Sequence, residues 1–403
     1  MSLSRLTLPV FIALMLTALA GCGAQDPGHD ARVLSQSERI DQALAHAGQF
    51  LLGRQAADGS WRSEIYGPFK DGTALTPFVA HALQATPSTA ERDAACRRGI
   101  AYLAQFVQAD GTIDPGPYGL RYPVYTAAGA IRLLSTEDGT FERTNRAAWI
   151  TYLRKRQLTE DLGWQAGDKE YGGWGYCPTL PRKPPDGELV PPLTESNLSA
   201  TLSALAALRA AGVSTTDPAV TRARVFIERC QNFGDNPAFD DGGFFFIYDD
   251  GARNKAGVAG HDAQGRERYA SYGSTSADGL QALLLCGLPL DHPRMAAARR
   301  WLETHFDAGT HPGNFRPERE PNRPSVYYYF ACSLAEGFRA VALKEVDTPA
   351  GKQPWANALA EELLKRQRED GSWVNPAVQV REDDPLVATA LAVRALAICR
   401  EGL

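Results

Sequence analysis

The parts of this chain best suited to chemistry are aspartates and aromatic residues set beside glycines. Tyr171-Gly172-Gly173-Trp174-Gly175-Tyr176 and Asp240-Asp241-Gly242-Gly243-Phe244-Phe245-Phe246 put bulky rings next to backbone that can turn tightly. Tyr272, Tyr328 and Glu195 stand where loops give way to apolar stretches. Aromatic lining with few carboxylates suits an apolar ligand. Two carboxylates across a polar cleft would instead work as an acid/base pair on a sugar. Asp240 or Asp241 is therefore the candidate catalytic carboxylate. Tyr171, Trp174, Tyr176, Tyr272, Tyr328 and Glu195 are the candidate ligand-binding residues, around a central pocket. Each has a plainer role as well. Asp71, Glu195 and Asp384 sit where helix N-caps and first-turn acids belong, and Asp-Asp-Gly-Gly is a turn sequence. The aspartates 235, 240, 241, 249 and 250 do not have EF-hand spacing, and the reading carries no metal and no cofactor. His261 and His311, in Gly-rich loops, are expected in solvent, and His81 inside an apolar helix.

Composition narrows the field. The 403 residues carry a formal net charge of -5 and 44% hydrophobic content. That is ordinary globular composition, with no basic excess for nucleic acid. Residues 1–21 read as a leader: Arg5 gives a positive start, and an apolar run ends in Leu19-Ala20-Gly21-Cys22. This resembles the bacterial lipobox, which implies cleavage before Cys22, lipidation of that thiol and a short tether over 22–35. The protein is then expected at the cell envelope, held to the membrane by lipid. The outer membrane is favoured in a two-membrane host. The same residues also resemble the thioester motif of complement-type proteins, with Ala24 in place of that motif's Glu. The other six cysteines form no CxxC pair, and most lie in apolar helical runs, so mostly free thiols are expected.

Helices have to position the candidate residues, and the helices repeat. A charged amphipathic segment is followed by a turn or loop, then by a segment rich in Ala, Leu and Ser. RAAWITYLRKRQ and NLSATLSALAALRAA show the contrast. The pattern recurs six times between 36 and 403, which predicts six helix pairs, the second of each pair inside. With no cap at either end, ring closure is expected. Gln55-Ala56-Ala57-Asp58-Gly59-Ser60-Trp61 and Gln367-Arg368-Glu369-Asp370-Gly371-Ser372-Trp373 share one spacing in the first and last pairs. The Gln is expected to serve the last carbonyls of its helix, and the Trp to pack in the seam between neighbouring pairs.

These two segments resemble the QW repeats of squalene–hopene cyclases and their prenyltransferase relatives. The Gly-aromatic stretches at 172–176 and 241–246, SYGSTSADGLQALLLCGL at 271–288 and YYYFACSLAEGF at 327–338 are similar to turns and inner helices of that superfamily. The resemblance implies an all-α fold, an (α/α)6 toroid, with an isoprenoid-like ligand in a central cavity. It does not extend to the chemistry. The cyclase DxDD motif is absent, and the stretches matching the prenyltransferase zinc site lack its Cys and His. Three functions follow as expectations: an isoprenoid-binding lipoprotein with or without turnover, a carbohydrate lyase or hydrolase, or a non-catalytic binding lipoprotein.

Overall fold

The computed structural model describes residues 34–403 apart from 118, 137–138, 186, 189–190, 249 and 349–350. The leader, Cys22 and Asp249 lie outside the described residues. The described residues form twelve α-helices. The odd-numbered ones are α1 (Gln36–Gly53), α3 (Ala90–Ala104), α5 (Thr140–Arg154), α7 (Pro218–Arg229), α9 (Pro293–Thr304) and α11 (Trp355–Arg366). The even-numbered ones are α2 (Leu75–Leu83), α4 (Pro123–Leu134), α6 (Leu198–Ala210), α8 (Gly273–Leu285), α10 (Tyr327–Ala340) and α12 (Pro385–Glu401). Local chemistry sets their starts. Ser35 and Glu38 form a reciprocal capping box on α1, and Asn197 and Asp217 cap α6 and α7. Proline at the first turn of α4, α7, α9 and α12 costs no hydrogen bond there.

Within the unit Ser35–Leu403, the even-numbered helices pack in order, α2 on α4, α4 on α6, and so on to α12, which packs back on α2. Each odd-numbered helix packs on the outside of this cycle, and α1 also contacts α11 and α12. No helix among the described residues is long and apolar enough to cross a membrane. All six cysteines of this unit are free and buried.

The chain is largely helical, as expected, with a small addition. Two antiparallel hairpins interrupt the helices, β1 (Val258–His261) with β2 (Glu267–Tyr269), and β3 (Glu345–Thr348) with β4 (Gly351–Pro354). Both lie in connections between helices, where short, largely exposed strands leave little periodicity to read.

The seams between pairs follow one design, repeated four times. Gln55 Nε2 donates to the Gly59 carbonyl of its own turn, 2.9 Å, and to Ala95 on α3, 2.8 Å. Gln157 reaches Gly172 and Ala219 on α7. Gln231 reaches Gly242 and Arg294 on α9. Gln367 reaches Gly371 and Ala43 on α1, which joins the last pair to the first. The expectation for these glutamines is corrected accordingly: the amide crosses to the next outer helix instead of serving its own. The ring beside each Gln is fully buried: Trp61, Trp174, Phe244 or Trp373. Each indole donates to a carbonyl of its own outer helix, Leu51, Leu153 or Leu363. Each aromatic backbone N–H donates to a hydroxyl of the following inner helix, Thr76, Thr201, Ser276 or Thr389, at 3.0 Å. The turn glycine is obligatory. Gly59 and Gly371 have φ of +88° and +84°, and a Cβ there would stand 2.5 and 2.6 Å from the carbonyl oxygens of Arg98 and His46 on the next outer helix.

Candidate functional site

The long loops join each outer helix to the inner helix after it, so the starts of the inner helices meet at one end of the cycle. Glu382, just before α12, accepts from the Tyr328 and Tyr329 amides at the start of α10, at 3.0 and 2.8 Å. Tyr66, before α2, donates to Asp383, 2.6 Å. Glu382 is buried, and burial raises its carboxyl to about 7 against the pull of Asn375 and the two amides.

An aromatic bowl lies among these starts. Phe69 and Tyr122 have ring centroids 5.2 Å apart, Tyr125 and Tyr176 5.7 Å, and Tyr176 and Phe246 6.4 Å. The Tyr125 and Tyr176 hydroxyls are 3.3 Å apart. Two arginines cover the bowl. Arg253 lies 5.8 Å from the Tyr176 and Phe246 centroids and pairs with Glu195. Arg381 lies 5.1–5.4 Å from Tyr66, Phe69 and Tyr122 and donates to the Tyr122 hydroxyl. Cation–π attraction holds both in place. Arg381 has φ +69°, a conformation that costs a non-glycine residue.

Below the bowl is a carboxyl. Asp278, near the start of α8, is fully buried. Its Oδ1 accepts from Ser333 Oγ, 2.7 Å, and its Oδ2 from Tyr329 Oη, 2.8 Å, and Ser199 Oγ, 3.2 Å. Thus α6, α8 and α10 each place a polar group on one point. Burial raises this carboxyl from the ordinary 3.8 to about 6, against the pull of the three hydroxyls. Further along the inner helices lie His81 on α2, Arg132 on α4, Glu336 on α10 and Arg394 on α12. Glu336 pairs with Arg394. Burial first, then the charges of Arg132, Arg394 and Arg339, pushes the His81 imidazole well below its usual range. Burial works against ionised Glu336, but Arg394 and Arg132 outweigh it and hold the carboxyl below its ordinary value.

These groups are walled in by inner helices, yet they keep accessible surface. The Arg394 and Glu336 side chains are 12% and 18% exposed, and Tyr125, Tyr176, Tyr329, His81 and Arg132 are half-buried. Burial nevertheless dominates the ionisation of Tyr125, Tyr329 and His81. Set deep among the inner helices, these side chains are therefore not packed on every side. Tyr122, just before α4, and Tyr125, Gly129 and Arg132 on it are half-buried and follow helical spacing, so they share one face.

The candidates from sequence divide. Tyr176 is in the bowl, and Glu195 holds the arginine above it. Asp240 accepts from the Asn236 amide and pairs with Arg268, so it closes its own loop. Asp241 accepts from the Gly243 amide, from Ser271 Oγ at 2.6 Å and from the Trp301 indole at 3.0 Å. Its oxygens bind the loop to α9. Trp174 is a seam residue. Tyr171 donates to Glu160 in a small separate cluster with Leu158, Leu162 and Trp164. Tyr272 is buried beneath the loops against His311 and Phe315. Tyr328 lines a separate hollow of about 510 Å³ with Tyr327, Pro324 and Val374. From the Tyr327-Tyr328-Tyr329 run, it is Tyr329 that faces the centre. His311, expected in solvent, is 1% exposed, and its Nε2 accepts from the Ser274 amide at the start of α8. Asp384 caps α12 as expected. Asp278, Arg132, Glu336 and Arg394 are not among the sequence candidates. Their signal was an ionisable residue inside an inner-helix run otherwise dominated by Ala, Leu and Ser.

No protein-family model and no curated protein matches the sequence. Solved structures do match. Type II terpene cyclase MstE from Scytonema, in complex with its substrate geranylgeranyl dihydroxybenzoate, superposes with a TM-score of 0.54 and 15% identity, over 91% of this chain and 99% of that one. The chain shares the fold of a type II terpene cyclase. MstE with its product merosterolic acid A gives 0.53 and 16%, over 91% and 99%. A protein from Actinoplanes gives 0.52 and 18%, over 89% and 99%. At such identities the likeness speaks for the fold alone.

Proposed function

We propose that the closed cycle of inner helices is an (α/α)6 toroid of six helix pairs that binds an apolar, isoprenoid-like ligand along its axis, with Asp278 as the acid available to it. The observation that carries this reading is a fully buried carboxyl with a raised pKa, hydrogen-bonded to Tyr329, an aromatic residue that itself keeps accessible surface. A protonated Asp278 is suited to give its proton to an alkene carbon. The alkene π electrons form the new C–H bond, and the ring faces of Tyr125, Tyr176 and Tyr329 stabilise the cation left behind. Loss of a proton from the cyclised cation restores the balance, so the net change is an isomerisation. The terpene cyclase structures bind a geranylgeranyl substrate, which agrees with an apolar ligand here. A sugar-cleaving site has less support. It needs a second free carboxylate, and Glu336 is engaged by Arg394.

The test is incubation with geranylgeraniol, read by melting temperature and by gas chromatography of products. Wild type should melt higher and form a cyclised isomer. Asp278→Asn should keep the melting shift and lose the product. If no isoprenoid shifts the melting temperature, the reading fails, and a shift with oligosaccharides would replace it.

We further propose that the protein is exported and lipid-anchored through Cys22, on the strength of Leu19-Ala20-Gly21-Cys22 after the apolar leader. Cys22→Ser should fractionate as unprocessed or soluble protein. Membrane retention with unchanged cleavage would refute the anchor.

A further inference from the structure

The end of the axial space away from the bowl has a charge imbalance. His81, Arg132, Glu336 and Arg394 project there from four different inner helices and interact electrostatically with one another. His81 is neutral for the reasons given above. Glu336 and Arg394 are ionised and paired. Arg132 is left over. Among the described residues its side chain has no hydrogen-bond acceptor and no ion pair, and a guanidinium does not discharge by losing its proton. The other nearby cation, Arg339, is about half exposed and pairs with Glu401 at the surface. Cys332, beside the arginines, supplies no anion, because burial pushes its thiol up to about 12. The four central groups therefore carry one net positive charge. Arg132 lies in the last turn of α4, where the helix dipole favours a cation. That field acts within a single turn and offsets only part of the cost of an unpaired charge inside a protein.

We infer that this inner end is an anion subsite, where Arg132 and the free N–H groups of Arg394 receive a carboxylate carried by the ligand. The ligand of the proposed function is then an amphiphile with its acid at the end remote from the aromatic bowl. This inference rests on the apolar-ligand reading for the rest of the molecule it describes. A monoanion fits better than a phosphate. One negative charge neutralises the cluster, whereas a dianion would leave it negative beside Glu336. The planar guanidinium fork also matches a carboxylate in two parallel hydrogen bonds.

The experiment compares two probes with the same C20 chain, geranylgeranoic acid and geranylgeraniol, by calorimetric titration. Wild type should bind the acid roughly tenfold tighter, the factor expected of one charge-assisted contact. Arg132→Met should abolish that preference while the alcohol binds as before. Arg132→Lys should keep part of it, which separates charge from folding. Arg381→Gln, at the bowl, should leave the preference intact. Equal binding of acid and alcohol by wild type would overturn the subsite. So would a preference that survives Arg132→Met or disappears in Arg381→Gln. If neither probe binds, the apolar-ligand reading has failed by itself, and benzoate then decides the subsite. A melting shift in wild type that is missing in Arg132→Met supports it, and no shift in either overturns it.

Discussion

The seams and the centre of this molecule are built on opposite plans. Four seams use the same parts: a Gln amide bridging two outer helices, a left-handed glycine, a buried aromatic ring and a hydroxyl on the next inner helix. Each part answers a backbone requirement, so the parts can recur without change. The centre uses each part once. Asp278, Tyr329, Arg132, Glu336, Arg394 and His81 come from five inner helices, and no two of those helices contribute the same set. Stability here is spread over copies, while the ionisable groups of the centre are concentrated at one place. A change in a seam should therefore alter how firmly the protein folds, and a change at the centre should alter what it does.

The largest effect expected from this contrast is in a seam. Trp373 is fully buried and donates to Leu363, so Trp373→Ala should cost roughly 3–5 kcal/mol in urea unfolding. Ligand affinity of the folded fraction should not change. A loss of affinity at full foldedness would show that seam and centre are coupled. The next effect is at the centre and depends on pH. Between 3.8 and about 6 the folded protein keeps the Asp278 proton that the unfolded chain has released. The folded state binds more protons there, so this group's contribution falls as pH rises through that window and stays low above it. Two pKa units correspond to about 3 kcal/mol. Asp278→Asn lacks the titration, so the stability difference between mutant and wild type should move in the mutant's favour from pH 4 to pH 6 and then level off. A difference independent of pH would mean that Asp278 ionises as it would in water.

The same contrast explains what could be read in advance. Gln55–Trp61 and Gln367–Trp373 were visible because Gln, turn and Trp lie within seven residues. In the other two copies the chain inserts loops between Gln157 and Gly172 and between Gln231 and Gly242. Only the glycine-aromatic half of each motif is recognisable in sequence, which is why Trp174 reads there as a pocket residue. The centre was harder because it depends on helix rotation. Tyr328 and Tyr329 are one residue and about 100° apart, which separates a side hollow from the axis. Asp240 and Asp241 stood out as an acidic pair, but their oxygens are occupied by Arg268, Ser271, Trp301 and backbone amides. Asp278 stands alone in an apolar helix, and that isolation is the better sign of a buried titratable group.

Because Gln367 donates to Ala43, the last outer helix leans on the first, and among the described residues no outer helix stands at a free end. In an open array of repeats the outermost units fray first, and stability grades from the ends to the middle. Here every pair is hemmed in on both sides. Opening any one seam strips support from two neighbours at once, so the domain has no weak end from which to unzip and should give way as a single cooperative unit.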